Sequence, residues 1–353
     1  MRNMLYSTLI TLIVIITFST NPSAQEDPQQ GESPDNLKAH TGNGSLRIRD
    51  IDYSPDGKHL VVACSNNGVL LYKTWTIEKP VLLTDHPKRA WSVAFSPDGT
   101  MLASAGRFNT ITLLNESASG QIPPYKDILR SGMFQIEFSP DSKIVATSDF
   151  VDGTINLLDV HTGRLLHTLT GHMPGRFSTL VFSHDGKTLA TATWSENVHL
   201  WDAKTGKHIR THTNHAMRLR TVAFSPDGKT YAMQTTDKLN DTLSLFDVDT
   251  GKALRVLIDR QDIRNSIGPV HSMAFSPDGK TIVTGGPFAI HLWNVDTGEH
   301  IRMLIGELKT YAGPGPFVLY SPDGMTIVTA GMGEIHLWDG NTGNHIRKLL
   351  TDL

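Results

Sequence analysis

Cysteine is almost absent from this 353-residue chain: Cys64 is the only one, so no intrachain disulfide can form. It lies in the apolar run Leu60-Val61-Val62-Ala63-Cys64, which predicts a buried, inert thiol. Charge of one sign is equally scarce. Thirty-two Lys and Arg against 35 Asp and Glu leave a net charge of −3, so no overall basic field exists to attract nucleic acid. The motifs His-Glu-x-x-His, Cys-x-x-Cys and Gly-x-Ser-x-Gly and a phosphate-binding Gly-rich loop are all missing. Gly313-Pro314-Gly315-Pro316 cannot replace that loop, because proline supplies no amide donor. These absences leave no recognisable constellation for hydrolysis, phosphoryl transfer or redox chemistry.

One long apolar run exists, over residues 4–18. Its length of about 15 residues falls short of the roughly 20 that a spanning helix needs. Arg2 precedes it, and Asn21-Pro22-Ser23-Ala24 supplies small residues after it. Residues 1–24 therefore have the form of a secretory signal peptide with cleavage near Ala24. An uncleaved membrane anchor is the alternative, and only in that case is membrane contact expected. Export without disulfides fits a bacterial periplasm, a cell surface or secretion. Residues 25–44, rich in Gln, Pro, Asn, Gly and charge, read as a flexible leader.

The rest of the chain is organised by one phrase, clearest as Val93-Ala94-Phe95-Ser96-Pro97-Asp98-Gly99. An aromatic residue ends a strand, Pro and Asp set the central turn positions, and Gly accepts positive φ as the next strand begins. The phrase starts at Ser54, Ser96, Ser139, Ser183, Ser225, Ser276 and Ser321, with spacings of 42, 43, 44, 42, 51 and 45 residues. Two copies deviate: Ser142 replaces the Gly, and His184 replaces the Pro. Each repeat predicts four short antiparallel strands, with a second turn containing Thr-Gly in five repeats. A single such sheet, apolar on both faces, must stack on others, and radial stacking protects its edges. The expectation is an all-β, seven-bladed propeller of four-stranded blades over residues 45–353. Blades one and seven each read as complete, which predicts closure by blade packing without an exchanged strand.

Gly171-His172, Leu200-Trp201-Asp202, Leu337-Trp338-Asp339 and the recurring Phe-Ser-Pro-Asp-Gly resemble the WD-repeat β-propeller family, of which this would be a divergent, exported bacterial member. The resemblance implies a buried network joining His, Ser or Thr, Asp and Trp. Repeat four comes closest, with His172, Thr191 or Thr193, and Trp201; repeat three offers Asp152, and repeats six and seven offer Trp293 and Trp338. No repeat holds a complete set. The resemblance also implies that the position five residues before each turn Ser lies at the channel mouth, where partners dock. Arg49, Trp91, Phe134, Ser178, Arg220, His271 and Pro316 occupy it, and Arg107 and Trp194 join that face from neighbouring loops. Aromatic residues and Arg are what binding hot spots favour; packing of Trp91 and Phe134 between blades is the plainer alternative.

A shared metal site is not expected. His199, His291 and His336 recur on third strands, and His208, His300 and His345 on fourth strands, but in separate sheets. Packed sheets lie about 10 Å apart, too far for bonds of roughly 2.0–2.1 Å to one zinc. Asp50, Asp52 and Asp56 lack the spacing of a calcium loop. The extra length around Asp237–Asp241 and Asp259–Arg264 is expected in loops. Together these features predict a non-enzymatic protein–protein interaction scaffold without cofactor, whose partners are other proteins rather than nucleic acid. Nothing in the sequence sets the oligomeric state, and a monomer is expected. The second reading is a small-molecule-binding or hydrolytic propeller with its site in the central channel. A cluster of His and carboxylates lining the channel would favour it.

Overall fold

The computed structural model describes residues 46–76, 78–84, 90–106, 111–115, 133–149, 151–172, 177–193, 197–212, 221–237, 240–258, 270–286, 289–304, 316–331 and 333–349. All regular structure among them is β. Six antiparallel sheets have four strands each, in sequential order, and the sheet of the second repeat has three. The expectation of seven four-stranded blades is therefore met in six; the second repeat runs Ala90–Phe95, Met101–Gly106 and Ile111–Asn115, and residues 116–132 lie outside the described set. Sheets are numbered here by repeat.

The first strands are Ile48–Tyr53, Ala90–Phe95, Met133–Phe138, Phe177–Phe182, Val222–Phe224, Ser272–Phe275 and Phe317–Tyr320. Each touches the first strand of the next sheet, and the last returns to Ile48–Tyr53, so they surround a common axis. Apolar clusters fill the spaces between successive sheets. One joins Val61, Val69 and Leu83 to Val93 and Leu102; another closes the ring by packing Leu60, Leu70 and Tyr72 against Val328, Ile335 and Leu349. Fourth strands form the rim, where Ile209, Ile301 and Ile346 are exposed. Sheets one and seven are each built from four contiguous strands of their own repeat. Residues 30–45 lie outside the described set.

The recurring turn explains its own sequence. In sheet one Ser54 Oγ donates to Asp56 Oδ1 at 2.7 Å and accepts from the His59 amide at 2.9 Å, while Asp56 Oδ1 accepts from the Lys58 amide at 3.0 Å. Ser321, Asp323, Met325 and Thr326 repeat this arrangement at the other end of the chain. Gly57 has φ of 70°, and a Cβ added there would lie 3.7 Å from Pro322 Cδ of sheet seven. The turns thus stack round the ring as well as along it. Where Gly is missing, Ser142 itself adopts φ of 59°, and its Oγ accepts the Asp98 amide of the preceding sheet at 3.0 Å. That inter-sheet bond offsets the strain of a left-handed non-glycine residue.

Candidate functional site at the channel mouth

The start of each first strand lies opposite the turn, at the other end of the ring. There Arg49 of sheet one places its guanidinium 5.2 Å from the centre of the Trp91 ring in sheet two. Both residues are half-buried, so a cation–π contact spans two sheets at the mouth of the channel. His271 occupies the equivalent place in sheet six and is also half-buried. Arg107, Trp194 and Arg220 lie outside the described residues, as do the side chains of Phe134 and Ser178. Of the predicted docking residues, the structure brings Arg49 and Trp91 together.

Asp50 and Asp52, which lack the spacing of a calcium loop, meet a third acid one step down the channel. The mouth positions contain no acid, but positions four and two residues before the turn Ser contain Asp50, Asp52 and Glu137. Asp50 and Asp52 alternate onto one face of their strand. Each carboxylate ties two strands together. Asp50 Oδ1 accepts the Ile51 amide at 3.0 Å, and its Oδ2 accepts the Val93 amide at 3.1 Å and the Ser92 hydroxyl at 2.7 Å. Asp52 Oδ1 accepts the Tyr53 amide at 2.8 Å, and its Oδ2 accepts the Phe95 amide at 2.7 Å. The same bridge recurs with neutral groups: Ser92 Oγ accepts from Ile136 at 3.2 Å, Thr179 Oγ1 from Val222 at 3.0 Å, and Ser272 Oγ from Val318 at 3.1 Å. Phe317 holds this position in sheet seven and has no oxygen to offer sheet one. Asp50 compensates by satisfying the Ile51 amide from its own strand.

Each of the three acids keeps some exposed surface, yet their carboxyl groups sit deep among the first strands. Burial pushes Asp50 up to about 6 and Asp52 up to about 7, and the hydrogen bonds only partly offset it. Burial also raises Glu137 well above the ordinary carboxylate range, with the charges of Asp52 and Asp50 adding to the effect. The trio falls four and two residues before the turn Ser, in the same repeat register that places Arg49 and Trp91.

The buried polar network takes a simpler form than the family resemblance implied. In sheet four His172 Nε2 lies 2.8 Å from Thr191 Oγ1, which accepts from Trp201 Nε1 at 2.7 Å. Trp293 Nε1 donates to Thr284 at 3.0 Å, and Trp338 Nε1 donates to Thr329 at 2.9 Å. Asp152 does not join such a network. It is exposed, and its Oδ1 accepts from the amide and hydroxyl of Thr154. Asp149, three residues earlier, is buried. The Thr193 side chain lies outside the described residues. Cys64 is fully buried, and burial pushes its thiol up to about 12, which leaves it unreactive. Among the described residues no group of three or more His, Cys, Asp and Glu is placed to hold a metal ion, and no helix is long and apolar enough to cross a membrane.

Comparison with known proteins fits this architecture. The sequence profile of the WD domain, G-beta repeat family matches residues 31–73, 78–110, 163–202 and 262–294. The chain is 25% identical to the guanine nucleotide-binding protein subunit beta of Oryza sativa subsp. japonica over 264 residues, covering 70% of this chain and 67% of that protein. It is 24% identical over 258 residues to a periodic tryptophan protein 2 homolog of Dictyostelium discoideum, covering 69% of this chain and 28% of that protein. It is 29% identical over 199 residues to WD repeat-containing protein SL1-17 of Schistosoma mansoni, covering 55% of this chain and 63% of that protein. These matches support a WD-repeat propeller. The profile omits most of repeats three, five and seven, although each forms the same four-stranded sheet.

Proposed function

We propose that this chain is a non-enzymatic scaffold that docks other proteins on the mouth face of a seven-bladed ring. The observation that carries the reading is the Arg49–Trp91 contact, which presents a half-buried cation and indole across two sheets. Such groups contribute most where a partner covers them and excludes water. The relatives add a consistent background. One is by name the beta subunit of a guanine nucleotide-binding protein, a component of a multi-subunit assembly.

The proposal extends to location. Residues 1–24 direct export and are removed near Ala24, and the propeller acts as a monomer outside the cytoplasm. The channel carboxyls are the specific observation favouring a ligand-binding or hydrolytic channel. Asp50 and Asp52, however, spend their oxygens on four backbone amides, which suits a seam between strands better than a reacting group. Affinity capture from the native envelope tests the docking reading. An Arg49→Ala/Trp91→Ala variant that folds is expected to lose partners that the wild type retains, and equal capture would overturn the assignment. Sequencing the amino terminus of the natural protein tests cleavage: a start near Gln25 supports it, and an intact Met1 favours the uncleaved anchor instead.

A further inference from the structure

Separate sheets keep the repeated histidines of different repeats apart, but within one sheet they meet. The third-strand His stands two residues before Trp, on the same face, and the fourth-strand His is the cross-strand partner of that Trp. His199 Nδ1 lies 3.3 Å from His208 Nε2, His291 Nδ1 lies 2.9 Å from His300 Nε2, and His336 Nδ1 lies 3.0 Å from His345 Nε2. Two ligands bound to one zinc at roughly 2.0–2.1 Å, at tetrahedral or right angles, stand about 2.9–3.4 Å apart. All three pairs fall within that interval.

The third corner distinguishes the sheets. The residue paired across from the third-strand His is Thr211 in sheet four, Met303 in sheet six and Lys348 in sheet seven. Thr211 Oγ1 lies 2.9 Å from His208 Nε2 and 3.2 Å from His199 Nδ1, so two nitrogens and one oxygen form a nearly equilateral triangle. Arg210, between the ligands in sequence, is turned away, its Nη2 donating to the Asp249 carbonyl. His208 and Thr211 are exposed and His199 is half-buried, which leaves the outer side of the triangle open to solvent ligands. In sheet seven Lys348 brings an ammonium to the corresponding strand position, and Glu334 Oε1 holds that ammonium at 2.6 Å. A cation there opposes a second one.

We propose that His199 Nδ1, His208 Nε2 and Thr211 Oγ1 form a rim site for a borderline divalent metal ion such as Zn²⁺, completed by water. Imidazole nitrogen is the preferred donor for this class of ion, and the hydroxyl serves as a weak third donor. Trp201 holds the pair in place, stacked on His199 with centroids 5.8 Å apart and edge-on to His208 with centroids 5.0 Å apart. The test is calorimetric titration of the full chain with Zn²⁺ in a non-chelating buffer at neutral pH, with folding checked by circular dichroism. His208→Ala, at an exposed position, is expected to weaken binding at least tenfold, and Thr211→Val severalfold. His345→Ala in sheet seven is expected to leave the affinity within twofold. Absence of saturable binding by the wild type, unchanged binding by His208→Ala, or an equal loss on His345→Ala would each overturn the proposal.

Discussion

The two ends of each first strand are built on opposite plans. At the turn end the same Ser, Asp and following amides recur in all seven repeats with nearly the same geometry, as at Ser54, Ser96 and Ser321. At the mouth end the equivalent positions hold Arg49, Trp91, Phe134, Ser178, Arg220, His271 and Pro316, with no two successive residues alike. Repetition marks the end that makes the fold. Variation marks the end where the proposed docking surface lies.

The same contrast governs the carboxyls. Ser54 and the Lys58 amide hold Asp56 down to about 2, in an exposed turn. Hydrogen bonds from Ser and the amide of the following Lys or Met likewise lower Asp227, Asp278 and Asp323. Asp98, Asp141 and Asp185 also fall below the ordinary value, although burial, the largest single influence, opposes the combined hydrogen bonds at each. Inside the channel burial wins, and Asp50, Asp52 and Glu137 are raised. Folding therefore depends on pH in two directions. At the turns the unfolded chain takes up protons first, so their stabilisation is lost as pH falls from 3.8 through about 2. In the channel the folded chain keeps protons longer, so stability falls as pH rises from 3.8 through about 6 and about 7.

The largest expected effect is at the seam. Asp52→Ala strands the buried amides of Tyr53 and Phe95, and is expected to lower the unfolding free energy in denaturant by about 3 kcal/mol. A loss below about 1 kcal/mol would show that these bridges are incidental. At the turn end Ser96→Ala removes a hydroxyl that donates to Asp98 and accepts from the Met101 amide. Its expected cost is smaller, about 1–2 kcal/mol, because Asp98 remains solvated. Glu137→Gln removes a charge from the channel without changing side-chain size. It is expected to raise the thermal midpoint at pH 8 and to flatten the decline between pH 5 and pH 8, while leaving the acid limb unchanged. A steeper decline would contradict the raised carboxyl. The smallest effect belongs to Lys280→Ala, which breaks an exposed 3.7 Å ion pair with Asp278 and is expected to change stability by less than about 0.5 kcal/mol.

What could be read from the sequence follows the same division. The Ser-Pro-Asp-Gly register gave the strand order, because each of its residues has one local job that adjacent amides enforce. The mouth pair Arg49 and Trp91 followed from that register. The bridging role of Asp50 and Asp52 was not legible, since a carboxylate in a strand looks like a solvated face until the neighbouring sheet supplies amide donors from more than forty residues away. The His199–His208 pair was hidden for a related reason. Histidines nine residues apart show no pattern until a bulge at Leu200/Trp201 brings the two strands into register. Asp152 matched the family position in sequence but turned to its own Thr154.

The central claim is that recognition belongs to the variable end of the ring and not to the repeated turn face. The direct measurement compares two folded variants in quantitative partner capture from the source cells. One carries Arg49→Ala and Trp91→Ala at the mouth; the other carries Lys58→Ala and Lys280→Ala on the turn face, where both lysines are exposed. The account predicts that the mouth variant loses specific partners and that the turn-face variant retains them. Loss on the turn-face variant with retention on the mouth variant would contradict it.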